Sequence, residues 1–112
     1  MTTKDIPTVV LVAEDPFVGS FLRSVLKRHG YGVMTAEARQ GLEMLRTGQL
    51  NADVVITNTP EIFLPVAQEI HLLYLAAAPD TELAAHFLEC RVLRKPFRNE
   101  DLLQAVKILA GS

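Results

Sequence analysis

Apolar residues follow two alternating rhythms along this chain. "TVVLVA" (8–13) is an unbroken apolar run rich in β-branched residues, the pattern of a strand covered on both faces. Phe17, Val18, Phe21, Leu22, Val25 and Leu26 then recur as one helical stripe, with Arg23, Lys27 and Arg28 off it. His29 and Gly30 close that helix, and Gly30 suits a left-handed cap. "YGVMTA" (31–36) reads as a second strand. Ala38, Leu42 and Leu45 mark a second helix ending at Gly48, and "DVVIT" (53–57) is a third, buried strand. "HLLYLAA" (71–77) predicts a fourth strand and "DTELAAHFLEC" (80–90) a short helix capped by Asp80 or Thr81. "RVL" (91–93) predicts a short fifth strand. A last helix over 99–110 is capped by Asn99, carries Glu100 and Asp101 at the positive end of its dipole, and stops at Gly111.

Strands alternating with helices predict an α/β fold, a parallel sheet with helices on both faces. In such sheets the functional crevice lies outside the carboxyl ends of the strands. Glu14 and Asp15 follow strand one, Asn58 follows strand three, Ala76 and Ala77 close strand four, and Lys95-Pro96 follows strand five. Clustered carboxylates suit a hard divalent cation such as Mg²⁺, and a lysine suits an anionic oxygen. Together they suit phosphoryl transfer, which is mostly positioning and charge neutralisation. In the plainer alternative the acidic pair only begins the turn into helix one, and Lys95 is an ion-pair partner for Asp15.

Composition narrows the setting. With 112 residues, 49% of them hydrophobic, the chain is expected to form a single domain over 1–112 with its core at about 8–110. "MTTKDIPT" before strand one is expected to fray. A net charge of −2 argues against a non-specific nucleic-acid binder, and no apolar run approaches a membrane span. No signal peptide is visible, and the single cysteine, Cys90, rules out an internal disulfide; both suggest a reducing, cytoplasmic setting. Cys90 reads as a small, buried or half-buried apolar residue. No glycine-rich phosphate loop follows strand one, and no nucleophile–base pair supports an independent enzyme.

The chain resembles the receiver domain of two-component response regulators. The resemblance is carried by "VVLVAED" with "FVGSFLRSVLKRHGY", "ADVVIT", "LLYLAAAPD" and, most specifically, "LRKPFRNEDLLQAV". It implies a flavodoxin-like, doubly wound five-stranded sheet in the order 2-1-3-4-5, and a cis bond at Lys95-Pro96. It places Glu14 and Asp15 on the acidic pair that binds Mg²⁺, and Lys95 on the lysine that contacts the phosphoryl group. Asn58 falls on the phosphoacceptor aspartate, Ala76 on the Ser/Thr that bonds the phosphoryl oxygen, and Val92 on the aromatic that swings inward on activation. Acceptor and both switch positions are therefore altered. A neutral amide is no oxygen nucleophile, Ala76 has no hydroxyl, and Val92 cannot perform the aromatic switch. With one anion missing, Glu14 and Asp15 are expected to hold Mg²⁺ weakly if at all, and no cofactor is required. Thr57 and Thr59 flank Asn58 but lack a base to activate them, and His29, His71 and His86 stand alone at element ends.

The segment "NTPEIFLPVAQEI" is short. From Asn58 to Ala76 is 18 positions, fewer than the family's pattern, and Pro60 and Pro65 interrupt any helix. The third helix is therefore expected to be absent or cut to one or two turns, with Pro65 able to start a short one over 66–70. Either Ile62, Phe63 and Leu64 fold down as an apolar plug, or a second molecule covers the gap.

The sequence thus points to an atypical receiver domain in phosphorelay signal transduction, a protein-interaction module not phosphorylated at Asn58. Its partner would be a sensor kinase, an output protein or a second copy, with neither membrane nor nucleic acid bound by this chain. The partner surface implied by the family is strand four, the 80–90 helix, strand five and the last helix, with Glu82, His86, Arg91, Arg94 and Lys107 exposed. The alternatives are a residual Mg²⁺- and phosphoryl-binding receiver, and a flavodoxin-like small-molecule binder.

Overall fold

The computed structural model describes residues 8–111. All of the N-terminal stretch expected to fray except Thr8 lies outside them. Five strands, β1 (Val9–Ala13), β2 (Gly32–Thr35), β3 (Val54–Thr57), β4 (His71–Ala76) and β5 (Glu89–Arg94), form one parallel sheet in the order β2-β1-β3-β4-β5. The doubly wound, flavodoxin-like architecture and the strand order are those expected. Side chains alternate across the sheet: Val10, Val12, Val54, Ile56, Leu73 and Leu75 enter one core layer, while Leu11, Ala13, Val55, Leu72 and Tyr74 enter the other.

Two full-length helices cover the first layer. They are α1 (Pro16–Arg28), through Leu22, Val25 and Leu26, and the last helix, α4 (Asn99–Ala110), through Leu102, Ala105, Val106 and Leu109. Covering on the second layer is shorter. It comprises α2 (Ala38–Arg46), a 3₁₀ segment (Pro60–Val66) and α3 (Thr81–Ala84). Gly30 and Gly48, which follow the ends of α1 and α2, have φ of 90° and 79°, where a side chain would be strained.

Four expectations need correction. Phe17 and Phe21 do not join the buried stripe: Phe21 sits roughly a third of a turn and Phe17 nearly half a turn off the Leu22–Leu26 line, and Phe17 is 86% exposed. The helix expected over 80–90 stops at Ala84. Asp80 caps it, accepting from Glu82 N and Leu83 N, but the backbone then tightens into three-residue turns and Leu88 N donates to Ala67 O. That released chain lengthens β5, which begins at Glu89 and ends at Arg94, beyond both ends of the expected 91–93. Finally, the N-cap of α4 is Arg98, with no side-chain cap bond, and Asn99 is the first helical residue.

The third crossover is the expected remnant. Seven residues form 3₁₀ turns, with Pro60 opening them and Pro65 inside, so no helix starts at Pro65. Phe63 is fully buried and, with Val66, Ala67 and Ile70, packs on Leu72 and Val55. Phe63 is the plug; Ile62 is half-buried and Leu64 remains exposed.

Candidate functional site

The carboxyl ends of β1 and β3 frame an open cleft of about 780 Å³. Glu14, Asp15, Ser20 and Arg23 line it from the α1 side, Thr35 to Ala38 from the β2–α2 turn, and Asn58, Thr59 and Ile62 from beyond β3. Ala76, Val92 and Lys95 lie outside that lining.

The two acids meet different fates. Asp15 is the N-cap of α1: its Oδ1 accepts from Phe17 N and Val18 N, both at 3.0 Å, with Pro16 in the first helical turn. Glu14 turns inward. Its side chain is 0% exposed, and neither carboxylate oxygen has a hydrogen-bond partner. Lys95 Nζ approaches Glu14 Oε1 at 3.9 Å while remaining 32% exposed, so the lysine's ion-pair partner is Glu14 rather than Asp15. Burial pushes the Glu14 carboxyl above its ordinary range; Lys95 opposes that shift, the Asp15 charge adds to it, and the nearby Asp15 backbone N–H opposes it more weakly. The Lys95-Pro96 peptide bond is cis, and Lys95 N donates to Ala76 O at 3.0 Å, holding the β5–α4 turn against the end of β4.

Asn58 is exposed on the cleft. The threonines beside it are committed elsewhere. Thr57 Oγ1 donates to Ala13 O at 2.9 Å and accepts from Thr59 N at 3.1 Å. Its one proton is then used, so Thr59 Oγ1, 3.2 Å away, is the donor in their mutual contact. Among the histidines, His29 Nδ1 lies 3.0 Å from Val25 O and His71 Nδ1 lies 2.8 Å from Leu109 O, while His86 is exposed. Cys90 is half-buried, with its thiol pushed up to about 11 by burial.

A small divalent cation wants several oxygen ligands free to surround it. Here one carboxylate is turned inward toward an ammonium group, one caps a helix, and the third donor is a neutral amide. Among the described residues no three His, Cys, Asp or Glu side chains are grouped to hold a metal. This donor set does not fit Mg²⁺.

Sequence reasoning did not single out Tyr74. It lies opposite Val92 in the β4–β5 register, and so shares its face of the sheet. Its hydroxyl accepts from Asp80 N at 3.1 Å, which fixes the β4–α3 turn. The available signal was a lone phenol among the apolar residues 72–76, which needs a partner when buried. The cleft residues Ser20, Arg23, Thr35 and Glu37 were also missed; they come from turns and a helix surface, where periodicity says nothing about convergence.

No protein-family model matches the sequence, and no curated protein is significantly similar to it. Solved structures do match. The signal receiver domain of an HD domain-containing protein from Pseudomonas fluorescens Pf-5 superposes with a TM-score of 0.79 at 24% identity, covering 99% of this chain and 91% of that one. A response regulator receiver protein from Burkholderia phymatum gives 0.76 at 26% identity, covering 95% and 96%. The chemotaxis response regulator CheY4 of Vibrio cholerae gives 0.71 at 22% identity, covering 93% and 98%. The fold is that of a response-regulator receiver domain.

Proposed function

We propose that this chain is an atypical receiver domain of two-component signalling that binds protein partners without being phosphorylated at Asn58. The observation that carries the reading is Asn58 itself, exposed on the cleft just beyond β3: the sequence resemblance assigns the nucleophilic carboxylate to this position, and the residue here is a neutral amide. An amide nitrogen lone pair is delocalised and its oxygen carries no full charge, so it does not attack phosphorus. Ala76 adds no hydroxyl and Val92 no aromatic ring, so the trigger lacks a response element. In this reading the domain is not an enzyme, needs no metal, and acts in the cytoplasm. The absence of a helix long and apolar enough to cross a membrane is compatible with that. The contact face is the one that receivers present along α3, β5 and α4, where Glu82, His86, Arg91, Arg94 and Lys107 are exposed.

The test is intact-protein mass after incubation with Mg²⁺ and acetyl phosphate, beside Asn58→Asp. The expected result is no phosphoryl adduct on the natural chain and an adduct on the variant. An adduct on the natural chain overturns the reading. One observation favours a second reading, a flavodoxin-like small-molecule binder: the cleft has the volume of a ligand site.

A further inference from the structure

The charges of this chain are divided by position. Between Arg46 and Arg91 there are six acidic residues and no lysine or arginine, while all 11 lysines and arginines lie outside that stretch. Apart from buried strands, the stretch forms much of the covering of the second core layer: the 3₁₀ segment, α3 and the turns around them. We infer that the ledge between the 3₁₀ segment and α3 docks a basic amphipathic helix of a partner protein. The inference rests on the proposed function only in taking the partner to be a protein. The ledge shares α3 with the face named there, but lies inward of β5, over the part of the second layer that Phe63 plugs.

The first observation is an apolar row left open. In a 3₁₀ helix, residues three apart align. Pro60, Phe63 and Val66 form the buried row. Glu61, Leu64 and Ala67 form the next one, and Leu64 is 40% exposed. That row leads to the 86–88 turn: Ala67 O accepts from Leu88 N at 3.0 Å, and Gln68 Nε2 donates to His86 O at 2.7 Å. Leu88 itself is 55% exposed. Two large leucines therefore stand uncovered on adjoining segments, and α3, at four residues, is too short to shelter them.

The second observation is the charge around them, which selects the occupant. Of the six acids, Asp53 and Asp80 are taken up by backbone N–H groups. Glu89 falls on the opposite face of the sheet, by alternation with Cys90. Glu61, Glu69 and Glu82 remain. All three are exposed, and none is in an ion pair among the described residues. Glu61 and Glu82 sit just beyond the carboxyl ends of β3 and β4, and Glu69 just before the amino end of β4, so acids mark both ends of the ledge. A second copy meeting it through the same face brings the same acids, and a nucleic acid or an anionic membrane brings like charge. A partner with lysines or arginines around an apolar stripe satisfies the leucines and the glutamates together. The length suits a single helix. The six residues of β4 run about 20 Å, a distance spanned by about 13 helical residues.

The experiment titrates the full chain, followed by amide NMR, with a helical peptide of about 14 residues carrying leucine on one face and lysine on the other. Two control peptides keep the same spacing, one with glutamate in place of lysine and one with serine in place of leucine. The expected result is binding of the leucine–lysine peptide alone, with shifts centred on residues 61–68 and 82–88 and weakened by salt. Glu61→Lys/Glu82→Lys should weaken that binding about tenfold, since two attractions become repulsions. The same variant should gain affinity for the leucine–glutamate peptide, which a variant damaged in folding would not do. No binding at millimolar peptide overturns the proposal, as does equal binding of the serine–lysine peptide or indifference to the charge reversal. Shifts centred on the cleft acids Glu14, Asp15 and Glu37 also overturn it, and so does self-association of the chain through the same amides. None of these failures touches the mass measurement on Asn58, so the two readings fail separately.

Discussion

Glu14 and Asp15 follow one another in the chain, and their carboxylates meet different surroundings. Asp15 is satisfied by two backbone N–H groups at a helix start. Glu14 turns its carboxylate inward at the cleft wall with neither oxygen hydrogen-bonded to a side chain, beside a lysine that keeps a third of its surface in water. The native chain therefore holds the Glu14 proton more tightly than the unfolded chain does. Stability from this group is fully present below the unfolded value near 4.5 and is lost as pH rises from there through the raised folded value. Glu14→Gln, uncharged throughout, removes that loss. Its denaturant midpoint should exceed the natural chain's at neutral pH and converge with it in mild acid; a variant less stable at neutral pH would show that Lys95 outweighs desolvation. The residue types at this site were legible in the sequence, because acids after a first strand and a lysine before proline after a fifth are read directly. The division of labour was not. Whether an acid caps a helix or faces inward depends on one backbone turn, and the plainer alternative, which paired Lys95 with Asp15, missed that its ion-pair partner is Glu14.

At the scale of elements, packing decided what periodicity could not. Phe17 and Phe21 satisfy a helical repeat yet face outward, since α1 needs only the Leu22–Val25–Leu26 face to cover the sheet. The 80–90 stretch had a sound cap and apolar spacing, but Phe87 is buried in the second core layer and Leu88 N is held by Ala67 O, which draws the chain into β5. Proline content did foretell the short third crossover. Its contribution is concentrated in one ring. Phe63→Ala should cost about 3–5 kcal/mol of unfolding free energy by denaturant titration, whereas truncating exposed Leu64 should change little. Near-equal costs would mean that the 3₁₀ turns are held by their backbone rather than by the plug.

For the whole molecule, the parallel sheet followed from alternation, its strand order from the resemblance, and a cleft does lie at the carboxyl ends of β1 and β3. The unequal covering of its two faces did not. One face carries helices of 13 and 12 residues; the other carries nine residues of α2, a 3₁₀ segment and a four-residue helix. Local opening draws on the least-buttressed parts of a fold. In deuterated solvent, amides of the 60–70 segment and of 81–88 should exchange well before those of α1 and α4. Uniform exchange across the chain would contradict that order. A sheet covered this unevenly is expected to be softest on the face that carries the 3₁₀ segment and α3. Native-state breathing there would periodically uncover Phe63 and Phe87, so quality-control proteases and chaperones would meet this chain first from that side.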